Sequence, residues 1–139
     1  MVFLVVDDGI GTTEYFSTEG VLNGTGIAWT DYHLDLGFGT GGSFVSSTAG
    51  DGLDFDSPHN DSPIGFGPFS TIVIGEDTID AYDAIVVPGG FYNFGFSIDV
   101  PNGISEFTIR QYPTIVPEPG TALLLAFGLL GLGARRRNH

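Results

Sequence analysis

Tyr92, Phe94, Phe96, Ile98 and Val100 alternate without a break with Asn93, Gly95, Ser97 and Asp99. Side chains of an extended strand point alternately to opposite faces, so this period of two gathers the five apolar side chains on one side. A helix would scatter the same residues around its axis. The segment therefore predicts a strand with an apolar inner face and an outer face of polar and small residues, and such a strand needs a second layer to cover it.

The rest of residues 1–115 has the same grammar. Short apolar runs at Val2–Val6, Thr12–Ser17, Ile27–Phe38, Phe69–Gly75, Ile79–Val87 and Ser105–Tyr112 read as strands. Asn23-Gly24, Pro88-Gly89-Gly90 and Pro101-Asn102-Gly103 mark turns. Within Ile27–Phe38, the pattern places Thr30, Tyr32, Leu34, Leu36 and Phe38 on one face and Trp29, Asp31, His33 and Asp35 on the other. Gly37–Gly67 is rich in glycine, serine and aspartate and reads mainly as loop. No segment before residue 116 has helical periodicity. The expected class is mainly β, an antiparallel β-sandwich.

Charge narrows the function classes. Residues 1–115 hold sixteen of the seventeen acidic residues and a single basic one, Arg110, and the chain has no lysine. Such a body repels nucleic acid and anionic lipid headgroups. High net charge can signal disorder, but an aromatic content of 13% supplies material for a core. Cysteine is absent, which excludes a disulfide framework, a thiol nucleophile and a thiolate-ligated zinc.

Candidate chemistry in the body is thin. Asp31, His33 and Asp35 share a strand face, as metal ligands or an acid–base group would, but any solvent-facing strand shows polar residues at this spacing. Asp51, Asp54, Asp56, Asn60 and Asp61 offer hard oxygen ligands for Ca²⁺. Their order fails the EF-hand pattern, and turn-forming acidic residues are the simpler reading. Glu76, Asp77, Asp80 and Asp83 are read in the same way. Gly39-Thr40-Gly41-Gly42-Ser43 lacks the lysine of a phosphate-binding loop. Asn23-Gly24-Thr25 and Asn60-Asp61-Ser62 match the glycosylation acceptor pattern by chance. Trp29 and the tyrosines could stack on sugar rings, although core packing is the commoner role. No catalytic constellation stands out. The expectation is a non-enzymatic protein without a cofactor, with a calcium- or carbohydrate-binding module as the alternative.

The C-terminus has a different composition. Val116, Pro117, Glu118, Pro119 and Thr121 precede an uncharged run through Ala134, and Arg135, Arg136 and Arg137 follow it. The prolines set a hard boundary for a helix over 121–134. That helix would be apolar all round, unlike one packed on a core by a single face. The arginines would stay cytoplasmic and leave residues 1–115 outside. Fourteen residues span roughly 21 Å, short of the roughly 30 Å hydrocarbon layer. Snorkelling arginines and inclusion of Ile115 or Val116 lengthen it. The run suits a transient anchor better than a permanent one.

This three-part order resembles the PEP-CTERM sorting signal of Gram-negative bacteria. The matching residues are Val116, Pro117, Glu118, Pro119 and Thr121, the apolar run 122–134, and the basic stop Arg135–Arg137. The resemblance implies recognition by exosortase, an integral membrane protease-transpeptidase that removes the tail. The precursor would sit in the inner membrane with its ectodomain outside. The product would pass to the cell surface or into extracellular polymer, where polysaccharide is a possible partner. The logic parallels a GPI signal, whose hydrophobic tail is absent from the mature protein. The blocks Trp29–Gly37 and Asp51–Asp56 also resemble β-rich ectodomains attached to such tails, which implies no particular activity. The expected division is an acidic ectodomain over 1–115 and a sorting signal over 116–139. Met1–Val6 is apolar but short and unaccompanied by basic residues, so it reads as a strand rather than a leader. The expectation is a start upstream and an N-terminally truncated ectodomain.

Overall fold

A computed structural model describes residues 1–5, 11–55 and 65–115. The expected helix over 121–134 therefore lies outside the described residues, as do Asp56, Asn60 and Asp61. The described chain forms eight strands: β1 (Val2–Leu4), β2 (Thr12–Leu22), β3 (Trp29–Phe38), β4 (Val45–Ser46), β5 (Thr71–Ile74), β6 (Thr78–Tyr82), β7 (Phe91–Pro101) and β8 (Glu106–Ile115). A short 3-10 turn, Gly41–Ser43, separates β3 from β4. All pairings are antiparallel.

The strands form two sheets. The larger runs β1-β8-β3-β6-β5, with β4 paired to one end of β3, and the smaller is the ribbon β2-β7. Phe94, Phe96, Ile98 and Val100 of β7 share one core with Tyr32, Leu34, Leu36, Ile79, Ala81, Phe107 and Ile109 of the larger sheet. Tyr32 stacks on Phe94 across the interface with ring centroids 5.0 Å apart. Phe66 stacks on Phe94 at 5.0 Å, and Phe55 meets Phe96 edge-on at 5.7 Å. Burying each of these side chains contributes about 1.5–3 kcal/mol. The alternation of apolar residues along β7 thus sets the central layer contact.

β7 is flanked on both edges. On one side it pairs with β2 along eleven residues. On the other, Asp54 bridges to Asp99 and Phe66 bridges to Phe94. Gly95 and Ser97, expected to face outward, are buried in this arrangement. The region expected to be loop between Gly37 and Gly67 holds the 3-10 turn, β4 and these two bridges.

Three other expectations are corrected. Trp29 does not share a face with Asp31, His33 and Asp35. The register with β8 shifts between Trp29 and Asp31, and the bulge turns Trp29 inward. It is 6% exposed and stacks on Tyr32. The strand expected over Ile79–Val87 stops at Tyr82, because Asp83 adopts φ 63° and turns the chain. Val86 then rejoins the sheet by a single bridge to Trp29. Finally, β2 reaches Leu22 and β8 reaches Ile115, well past the expected ends at Ser17 and Tyr112.

Asn23-Gly24 does not close a two-residue hairpin. It begins the crossing from the ribbon to the larger sheet. Asn23 is 1% exposed. Its Nδ2 donates to the carbonyls of Ile27 and Val86, both at 2.9 Å, and its Oδ1 accepts from the Thr25 backbone and hydroxyl. The Thr25 hydroxyl oxygen also accepts from the Trp29 indole at 3.1 Å. A side chain so buried and so fully bonded holds the loop and offers no attachment point for glycan.

Candidate functional site

Among the described residues, the outer face of the larger sheet brings polar and aromatic side chains from three strands together. Alternation in β3 turns Asp31, His33 and Asp35 to this face, as expected from the sequence. The register adds what the sequence could not reveal. His33 lies opposite Asp80 of β6 on one side and Tyr112 of β8 on the other, and Asp35 lies opposite Arg110. Three separate segments thus meet on one surface.

Both His33 ring nitrogens are engaged. Nδ1 is 2.6 Å from Asp80 Oδ1, and Nε2 is 3.2 Å from the Thr114 hydroxyl and 3.4 Å from Asp31 Oδ1. Asp31 also accepts from the Thr114 backbone N–H at 2.8 Å. The imidazole stacks on Tyr112 at 5.1 Å and meets Tyr82 edge-on at 5.9 Å. A row Tyr82–His33–Tyr112 therefore crosses β6, β3 and β8. Burial, then the Asp80 and Asp31 carboxylates, push the Tyr82 phenol up from its ordinary pKa. Burial, then Asp35, push Tyr112 up against the opposing effect of Arg110.

Arg110 holds the end of the row. Its Nε and Nη2 donate to Asp35 Oδ2 at 3.0 and 2.5 Å. Its guanidinium lies 4.3 Å from the Phe44 ring centroid and 5.4 Å from that of Tyr112. The hydrogen bond to Asp35 raises its pKa further, outweighing partial desolvation. The one basic residue of the body is thus committed to an ion pair and two rings.

Asp80, His33 and Thr114 line up as an acid, an imidazole and a hydroxyl. However, Asp31 contests the same nitrogen, and the hydroxyl lies on an open sheet face rather than in a cleft. Among the described residues no group of three histidine or acidic side chains is arranged to hold a metal ion.

The calcium candidates are dispersed in their roles. The Asp51 carboxylate accepts from the Ser47 hydroxyl at 2.7 Å, the Thr48 N–H at 2.9 Å and the Leu53 N–H at 3.1 Å. Burial alone would raise its pKa, but these three donors outweigh it and hold the carboxyl below its usual range. Its oxygens pin the loop between Ser47 and Leu53. Asp54 contributes its backbone to the bridge with Asp99. Asp56 and Asp61 lie outside the described residues. Of the sugar-stacking candidates, Trp29 and Tyr32 belong to the core, while Tyr82 and Tyr112 belong to the outer face.

The sorting residues Val116, Pro117, Glu118, Pro119 and Thr121, and the arginines 135–137, also lie outside the described residues. β8 ends at Ile115, so the last described strand abuts the motif directly. Residues 116–137 match the family model of the PEP-CTERM protein-sorting motif. The chain therefore carries this sorting signal at its C-terminal end. No curated protein and no solved structure matches the chain.

Proposed function

We propose that this chain is an exported surface or extracellular-matrix protein. Its C-terminal tail inserts transiently in the inner membrane and is then removed by an exosortase-type enzyme. The observation that carries the reading is the match over residues 116–137, joined to an antiparallel, mainly β body. The short apolar run holds the precursor, the arginines keep its end cytoplasmic, and the acidic β-sandwich is the delivered product. In this reading the body works without catalysis.

A test uses the precursor in a host with and without exosortase. Processing should occur only in the first host, and replacing Pro117, Glu118 and Pro119 with alanine should abolish it. An intact tail and a cytosolic protein in both hosts would overturn the proposal.

One observation favours a second reading, carbohydrate binding. The row Tyr82–His33–Tyr112, flanked by Asp31 and Asp80, presents ring faces and hydrogen-bonding carboxylates together, and Tyr112 is 39% exposed. Sedimentation with insoluble polysaccharide should deplete the native protein and spare Tyr112→Ala. Equal depletion of both would dismiss this site.

A further inference from the structure

The free edge of β2 is the longest unpaired strand edge among the described residues. Asn102 N–H donates to the Gly11 carbonyl at 2.8 Å and Asn23 N–H donates to the Gly90 carbonyl at 2.9 Å. Both pairs obey the β2–β7 register, so the odd-numbered residues of β2 direct their backbone groups to β7. Thr12, Glu14, Phe16, Thr18, Gly20 and Leu22 must then direct theirs away. All six are exposed and no described strand pairs with them, although the Leu22 carbonyl already accepts from the Gly24 N–H at 2.9 Å. The edge carries no proline and no lysine, the devices that usually protect such a template.

The corresponding edge of the larger sheet is different. Met1 and Ile109 exchange backbone hydrogen bonds at 2.7 and 2.9 Å, so the odd residues of β8 face this side. Pro113 has the same parity, and its missing N–H interrupts that edge. One sheet edge is thus blocked and the other is open.

Two hollows lie beside β2. Near its middle is an apolar slot of about 110 Å³, lined by Phe3, Val5, Tyr15 and Phe107 among others. Towards Leu22 is a separate cleft of about 560 Å³ that includes Glu19 and Gln111. Glu19 Oε2 accepts from the Gln111 amide, whose oxygen accepts from the Tyr32 hydroxyl at 2.9 Å. Glu19 Oε1 is buried and has no hydrogen-bond donor among the described residues. A buried carboxylate oxygen without a donor is costly, and a donor entering the cleft would relieve that cost.

We propose that β2 accepts an extended basic segment of another protein as an added strand. Main-chain bonds to the six outward residues would supply register-fixed affinity. Alternate apolar side chains would enter the slot, and a lysine or arginine would reach Glu19. Charge complementarity selects this occupant over a second copy: the chain is −13 overall and its body has only Arg110, already bonded to Asp35.

The test uses the full-length chain in mild detergent and a nine-residue peptide. The peptide alternates threonine with valine and carries one central lysine on the valine face. With its lysine opposite Glu19 the peptide spans positions 15–23, so amide hydrogen exchange should slow at least tenfold at Phe16, Thr18, Gly20 and Leu22 when it is added. The same peptide with glutamate for lysine should bind at least tenfold more weakly, and Glu19→Gln should shrink that preference. Thr18→Pro removes an outward N–H without touching the β7 ladder, so it should abolish binding while the odd-numbered amides stay protected. Protection elsewhere, edge amides already protected in the free chain, equal affinity for the two peptides, or undiminished binding by Thr18→Pro would each overturn the proposal. Glu19→Gln keeps the charge test decisive if Thr18→Pro fails to fold.

Discussion

Asn23 shows how one side chain can organise a crossing between sheets. Its amide satisfies two carbonyls and its oxygen accepts two donors, all in a site 1% exposed. Asn23→Ala should therefore cost about 3 kcal/mol in urea unfolding, the range expected when buried backbone groups lose their partners. Tyr32 makes a pH prediction. Burial, with a further contribution from the Glu19 carboxylate, pushes its phenol from 10.0 to about 12. The folded state then holds a proton that the unfolded chain releases first, so stability is full below pH 10 and is lost as pH rises towards 12. About 2 kcal/mol is at stake once solvent screening is allowed for. Urea midpoints measured from pH 9 to pH 12 should fall steeply in the native protein and less steeply in Tyr32→Phe. Asp51 acts at the other end of the scale, because its lowered pKa gives stability that disappears as pH falls into the carboxylate range.

At the scale of elements, close approach explains a glycine that the pattern alone does not. A Cβ at Gly37 would intrude on the Val45 carbonyl oxygen and the Phe44 ring, so the pairing of β4 with β3 depends on its absence. Gly37→Ala should displace β4 and the Phe44 ring beneath Arg110. A loss of about 1–3 kcal/mol is expected by thermal unfolding, as for other overpacked sites. The inner face of β7 and the polar set Asp31, His33 and Asp35 were legible because strand periodicity is local. The partners were not, because Asp80, Arg110 and Tyr112 reach His33 and Asp35 only through pairings across long separations. Asp80 and Tyr82 fall in the expected strand Ile79–Val87, and Arg110 and Tyr112 in Ser105–Tyr112, yet nothing in those runs specifies neighbours. Trp29 was misplaced for the reason that alternation fails in general: one bulge inverts the parity of everything beyond it.

The whole molecule joins a body of two sheets to a tail with its own logic, and the junction is abrupt. β8 ends at Ile115, and the match to the sorting motif starts at Val116. The tail was legible because its physics is serial: helix-excluding prolines, an uncharged run and three arginines need no tertiary partner to be recognised. The body's activity is not written in this way, since an acidic face and an aromatic row acquire meaning only after folding. We propose that the tail is a temporary address removed from the delivered protein. Intact-mass measurement of the protein recovered outside an exosortase-bearing cell tests it most directly. The account predicts a C-terminus that lacks the apolar run and Arg135–Arg137, and their retention in the recovered protein would contradict it.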